Sequence, residues 1–248
     1  MSRTILPINR GWRWSSSVLS GATTSDYDDS GWEQVTIPHT TRMLPWHSFE
    51  DRDYQFISLY RRRFTLPAEL ERSRVFVDFG AVMTAATVTL NGTRLGEYRG
   101  GYTPFSFELT PHIAWEGENV LAVEVDSSER PHIPPFGGQI DYLTFGGIYR
   151  EVTLRLVPET FVANLFAKPV DVLGEQRHVD VRCFLDGEGG NGLQIEVELR
   201  DGERVLASAR QEVAPETSEV DLTLRDLADV ELWDVDNPRL YEVVVRLL

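Results

Sequence analysis

Thr84-Ala85-Ala86-Thr87-Val88-Thr89-Leu90-Asn91-Gly92-Thr93-Arg94-Leu95-Gly96-Glu97-Tyr98-Arg99 is the stretch from which the fold class can be read. Ala86, Val88 and Leu90 alternate with threonines, and a period of two sets one side chain on a core and the next away from it. Asn91-Gly92 stands at the point where the alternation is interrupted. Both residues tolerate positive φ, which a two-residue type I′ turn requires. Residues 84–90 and 93–99 are therefore expected to pair as an antiparallel hairpin.

The same alternation recurs on both sides of this hairpin. Val75, Val77 and Phe79 show it, as do Leu121, Val123 and Val125, and Val152, Leu154 and Leu156. Helical signal is confined to 67–72 and 109–115, where a short turn fits but no apolar stripe of helical period is sustained. The chain reads as all-β. A break falls at Val157-Pro158-Glu159-Thr160, because proline cannot donate to a sheet ladder and a fresh alternation starts beyond it. Strands are expected over 162–170, 179–185, 193–199, 205–213, 220–224 and 241–247, a spacing that suits a small Greek-key sandwich of immunoglobulin type. The expected domains are 1–158 and 159–248.

Composition removes several function classes. The 248 residues carry 24 Lys and Arg against 39 Asp and Glu, a formal net charge of −15. Phosphate backbones and anionic membranes reward clustered cations, so neither nucleic acid nor membrane is an expected partner. No apolar run reaches the length of a membrane span, and 1–10 lacks the basic start and apolar core of a signal peptide; the expected location is cytoplasmic. Cys183 lies on the apolar side of an alternating run and reads as a buried thiol. The histidines have no Cys or His partner at metal-ligand spacing, and Asp26-Tyr27-Asp28-Asp29-Ser30 departs from an EF-hand loop and reads as a solvated turn. There is no Gly-rich phosphate loop and no Gly-x-Ser-x-Gly elbow. No cofactor and no metal site are expected.

Four motifs, in order, resemble those of glycoside hydrolase family 2, the family of β-galactosidases and β-glucuronidases. They are Trp32-Glu33-Gln34-Val35-Thr36-Ile37-Pro38-His39, then Leu59-Tyr60-Arg61-Arg62-Arg63-Phe64, then Val88-Thr89-Leu90-Asn91-Gly92 with Gly117-Glu118-Asn119-Val120-Leu121 behind it, and finally the glycine-punctuated loop from Gly137 to Gly146-Gly147-Ile148-Tyr149-Arg150. Leu232-Trp233-Asp234-Val235-Asp236-Asn237-Pro238-Arg239-Leu240-Tyr241 adds a fifth match near the end. The resemblance implies a jelly-roll, galactose-binding-domain-like β-sandwich followed by a smaller immunoglobulin-like sandwich that lacks its last strand. In the family both catalytic glutamates come from a (β/α)₈ barrel that follows these domains and takes about 250 residues. The resemblance thus implies that this chain holds no catalytic residue, is inactive alone, and belongs to a longer hydrolase, β-galactosidase-like first and β-glucuronidase-like second. Its partners would be a β-linked carbohydrate, the barrel of the same polypeptide and, in an oligomer, further copies.

The family match also singles out residues. In family members an aspartate in the loop before Gly-Ile-x-Arg contacts the sugar, and the matching position is Asp141; the alternative is that Asp141 accepts backbone N–H bonds within its own loop. Arg150 reads as structural, holding a loop carboxylate or carbonyl. Where the best-known β-galactosidases carry a sugar-contacting asparagine, the match gives Met83, whose thioether cannot donate to a hydroxyl. Trp46, Phe49, Tyr54, Phe56, Tyr102, Phe136, Tyr142 and Phe145 fall near loops, where rings serve either as sugar platforms or as packing anchors. Two readings from other classes stay open: a self-standing lectin-like module, and a scaffold without a ligand of its own.

Overall fold

The computed structural model describes residues 3–45, 47, 49–134, 144–187, 192–227 and 229–248. The chain divides into two compact units, Met1–Pro158 and Glu159–Leu248. Both are β-sandwiches. Helix among the described residues is limited to single 3₁₀ turns at Asp51–Asp53, Ala68–Leu70 and Thr110–His112, the last two inside the segments expected to turn.

The first unit contains β1 (Thr4–Pro7), β2 (Trp12–Ser15), β3 (Glu33–Val35), β4 (Ile57–Thr65), β5 (Arg74–Phe79), β6 (Ala85–Leu90), β7 (Thr93–Arg99), β8 (Phe105–Glu108), β9 (Glu118–Asp126) and β10 (Val152–Val157). They form a four-stranded sheet in the order β1-β10-β5-β8 and a six-stranded sheet in the order β3-β2-β4-β9-β6-β7. The expected hairpin is β6–β7: Leu90 pairs with Thr93, and Asn91 and Gly92 sit at φ +51° and +84°. Inward residues of both sheets meet in one core that includes Trp12, Tyr60, Val77, Phe79, Val88, Val123, Leu154 and Leu156. Each such aliphatic side chain contributes roughly 1.5–3 kcal/mol by leaving water.

Strands β4 and β9 are buried on both faces. Outside the six-stranded sheet, Leu59 and Ala122 are covered by Ala22, Tyr27 and Trp32 from the segment between β2 and β3. Arg61, fully buried on that face, ties the segment down. Its Nε donates to Asp29 Oδ2 at 2.7 Å, and its Nη atoms donate to the carbonyls of Ala22, Thr24 and Tyr27. The Tyr27 and Trp32 rings lie 5.5 and 6.0 Å from the guanidinium carbon. The acidic run 26–30 is therefore an arginine-held loop in which Asp29 is the anchor, and Asp28 caps the Ser30 amide at 2.9 Å.

The second unit pairs a β11-β12-β15 sheet with a β14-β13-β16 sheet, from β11 (Phe161–Val170), β12 (His178–Asp186), β13 (Gln194–Asp201), β14 (Arg204–Glu212), β15 (Glu219–Leu224) and β16 (Glu242–Leu247). Val179, Val181, Cys183 and Leu185 from β12 interdigitate with Ile195, Val197 and Leu199 from β13. Cys183 is a free buried thiol, and burial pushes its pKa up. Among the described strands β16 pairs only with β13, so its other edge is open.

Candidate functional site: the loop end of the first sandwich

At one end of the first unit, four segments distant in sequence are laced into one surface. The segment before β10 runs through Gly146-Gly147-Ile148, and it is fastened on one side to residues 39–41. His39 N donates to Ile148 O at 2.8 Å and Thr41 N to Gly146 O at 2.9 Å, while the Thr40 hydroxyl reaches Gly146 O at 3.2 Å. On the other side Met83 and Gly147 exchange both backbone hydrogen bonds, at 3.0 and 3.2 Å, as an isolated antiparallel bridge just ahead of β6. The Tyr149 hydroxyl then donates to the carbonyl of Gly101, beyond the end of β7. The Met83-Thr84 and Ile37-Pro38 peptides in these segments are cis.

Gly147 makes the lacing possible. Its φ is +126°, a conformation that L side chains rarely adopt, and a Cβ there would stand 2.4 Å from the His39 carbonyl oxygen and 3.0 Å from the Tyr60 hydroxyl. Behind it the His39 ring is held in an aromatic cage. Its Nδ1 is hydrogen-bonded to Tyr60 Oη at 2.9 Å, and the Trp14 ring lies 5.5 Å away. Burial lowers the His39 pKa and raises that of Tyr60, so both are neutral around pH 7. A neutral imidazole hydrogen-bonded to Tyr60 and packed against the Trp14 ring is a packing element, in line with the structural reading of His39.

Among the described residues, four buried hydroxyls, those of Thr41, Ser58, Ser127 and Thr144, have no hydrogen-bonding partner. At least two of them converge on Gly146, where a Cβ would lie 2.0 Å from Ser127 Oγ and 3.2 Å from Thr41 Oγ1. Buried polar atoms of this kind are the usual seats of internal water. Sequence reasoning missed them, and the Gly146-Gly147 doublet was the only local sign that backbone must approach other groups closely here.

The outer surface of the lacing is a depression of about 490 Å³ lined by Thr40, Met43, Leu44, Met83, Tyr102, Thr144, Phe145 and Tyr149. Three residues singled out from sequence meet here: Met83 forms the floor, 2% exposed, and Tyr102 and Phe145 present half-open rings at the rim. Arg150 points its Nη1 at the Tyr102 carbonyl, 3.4 Å away, which is the carbonyl-holding role read from sequence. Phe49 and Tyr54 pack edge-to-face at 6.2 Å, as anchors. Asp141, like Trp46, Phe136 and Tyr142, lies outside the described residues; it precedes Thr144 by three positions.

Two family models match the chain: "Glycosyl hydrolase 2 galactose-binding domain-like" over residues 44–133 and "Glycosyl hydrolases family 2" over 160–248. A β-galactosidase of Thermoanaerobacterium thermosulfurigenes is 35% identical across 99% of this chain and 35% of its own length. A β-glucuronidase of Formosa agariphila is 26% identical across 98% of this chain and 28% of its own. Among solved structures, a calcium-binding mutant of Bacteroides uniformis β-glucuronidase 2 superposes with a TM-score of 0.88 at 28% identity, covering 99% of this chain and 30% of that one. The chain thus spans about a third of the length of these relatives and aligns with their N-terminal region. A jelly-roll sandwich and an immunoglobulin-like sandwich, each matched by a model of the same family and in that family's order, make this chain a member of glycoside hydrolase family 2.

Proposed function

We propose that the chain is the non-catalytic, sugar-side part of a β-glycosidase, β-galactosidase-like before β-glucuronidase-like, with the two catalytic carboxylates supplied by a barrel elsewhere in the polypeptide. The first sandwich would lend a loop to the substrate pocket, and the second would buttress the barrel. The observation that carries this reading is the lacing of 144–150 onto 39–41, Met83 and Gly101. A loop fastened to three rigid segments can hold a neighbouring side chain at a substrate, whereas a free loop cannot. Asp141, a few residues upstream, is the group assigned to the sugar. An acceptor-only carboxylate suits adjacent hydroxyls and penalises their absence.

The test is kinetic. In a polypeptide carrying the barrel, Asp141→Ala should lower kcat/KM for a nitrophenyl β-galactoside by on the order of 10²-fold with little change in melting temperature. Near-normal kinetics with a large drop in melting temperature would show that Asp141 only ties its loop. The 248-residue chain should not turn over nitrophenyl β-galactoside, β-glucuronide or β-mannoside, and turnover that survives repurification would refute the division of labour.

A further inference from the structure

The second unit leaves apolar side chains in water around an opening into its own core. A groove of about 400 Å³ lies between the end of β11, the start of β12 and the 230–241 stretch that joins β15 to β16. Val179, Leu199 and Leu227, all members of the unit's core, form its floor. Val172, Trp233 and Leu240 line its mouth at 40%, 59% and 77% exposure. Apolar groups gathered at one opening, rather than scattered singly, mark an interaction surface.

The exposure is not that of a slack loop. The Asp234 and Asn237 backbones exchange both hydrogen bonds, at 3.1 and 3.2 Å, and Asp234 Oδ1 caps the Asp236 amide at 3.0 Å. Glu231 N donates to the Tyr241 hydroxyl at 2.8 Å and closes the stretch at its base. Trp233 and Leu240 are thus presented by a bonded turn, so little ordering is needed when a partner covers them. Two arginines flank the groove, and they differ. Arg239 is paired with Asp201 and lies over the Tyr241 ring at 5.7 Å, whereas the Nε of Arg177 is buried without a hydrogen-bonding partner among the described residues. A desolvated, unpaired guanidinium nitrogen is costly, and an incoming acceptor removes that cost.

We infer that this groove seats an apolar segment bearing a carboxylate, contributed by the barrel of the same polypeptide, with Trp233 and Leu240 as the anchors and Arg177 as the group that receives the carboxylate. The inference rests on the proposed function for the existence of that barrel. Two observations favour the polypeptide itself over a second copy or a foreign protein. The chain spans 35% of the β-galactosidase relative and 28% of the β-glucuronidase relative, so most of a polypeptide of that length lies outside it. Trp233 and Leu240 also belong to the 232–241 stretch that resembles a family motif and falls within the family match over 160–248. Apolar members of a family motif that their own unit leaves in water need a partner that the family carries with it.

Hydrogen exchange followed by mass spectrometry tests this on the 248-residue protein and on the barrel-bearing polypeptide side by side. Amides at 230–233 and 239–241 should exchange roughly 10-fold or more slowly in the longer polypeptide. Leu240→Asp, at an exposed position, should leave β12 and β13 fully protected in the 248-residue protein, which shows that the unit still folds, and should return 230–241 to fast exchange in the longer one. Leu240→Met should keep the slow exchange. Arg177→Met should speed exchange at 230–241 only in the longer polypeptide, because it leaves the incoming carboxylate against an apolar wall. Equal exchange in the two wild-type proteins would overturn the inference, as would a Leu240→Asp polypeptide as protected as wild type. Protection already present in the 248-residue protein and lost on dilution would put a second copy in the groove and overturn it too. An Arg177→Met polypeptide indistinguishable from wild type would remove the carboxylate from the assignment. No arm reads hydrolysis, so a longer polypeptide that covers the groove yet cleaves no β-glycoside fails the proposed function alone.

Discussion

Gly147→Ala is the perturbation that most directly tests how the site is held. The glycine sits at φ +126° with no room on its side-chain face, because a Cβ would meet the His39 carbonyl at 2.4 Å, the Tyr60 hydroxyl at 3.0 Å and Thr40 Cα at 3.2 Å. Two of these are backbone atoms, and the residue that carries the nearest is itself bonded to Ile148 at 2.8 Å, so no side-chain rotation relieves the clash. Forcing an L residue into this region costs about 1–3 kcal/mol. Separating the segments gives up one or two of the hydrogen bonds to Ile148, Gly146 and Met83, at about 1 kcal/mol each. A loss of about 3–5 kcal/mol is a large share of the roughly 5–15 kcal/mol that stabilises a domain. For a unit of this size it should lower Tm by roughly 10 °C. Gly21→Ala is the control in the same unit: φ is +76° and nothing lies within 4 Å of the added methyl, so only about 1 kcal/mol of conformational cost is expected. Differential scanning calorimetry of the two variants decides the matter. If Gly147→Ala melts with wild type, or no lower than Gly21→Ala, the packing argument for the loop is wrong.

Three further outcomes are expected. Asp29→Ala should cost about 3–5 kcal/mol in chemical denaturation, because Arg61 has no exposed surface and would keep a buried, uncompensated charge; a variant within 1 kcal/mol of wild type would mean that water reaches the guanidinium. Burial depresses the His39 pKa below its ordinary 6.5, so the unfolded chain takes up that proton first and stability falls as pH drops through about 6.5. Replacing His39 by Gln should flatten the Tm profile between pH 7.5 and 5.5, and an unchanged slope would assign the effect elsewhere. The open edge of β16, with Val243, Val244 and Val245 in sequence, should recruit a strand: sedimentation should show association rising with concentration, suppressed by Val244→Lys, whereas a strict monomer with protected amides at 243–247 would show the edge to be covered.

What the sequence determined by itself is the part governed by the chain's own geometry. A period of two follows from the pleat wherever it occurs, so Val75-Val77-Phe79 and Val179-Val181-Cys183 could be placed on inner faces without a partner in view, and both lie in the observed cores. Asn91-Gly92 fixed its hairpin because two adjacent residues supply the positive φ that the turn needs. Short motifs in the right order were enough to carry the family.

The loop-end surface was not legible in this way. Thr40 meets Gly146 across 106 residues and Tyr149 meets Gly101 across 48. These meetings exist because non-consecutive strands are neighbours, with β9 between β4 and β6 and β10 between β1 and β5. Three adjacent arginines at 61–63 look alike in sequence, yet Arg61 alone has no exposed surface, because the outer face of β4 is roofed by the segment that Asp29 anchors. Met83 likewise read as an isolated mismatch to a family position. It became the floor of an apolar depression only when the folded chain brought Gly101, Phe145 and Tyr149 around it, since burial and the loss of water depend on neighbours that local spacing does not specify.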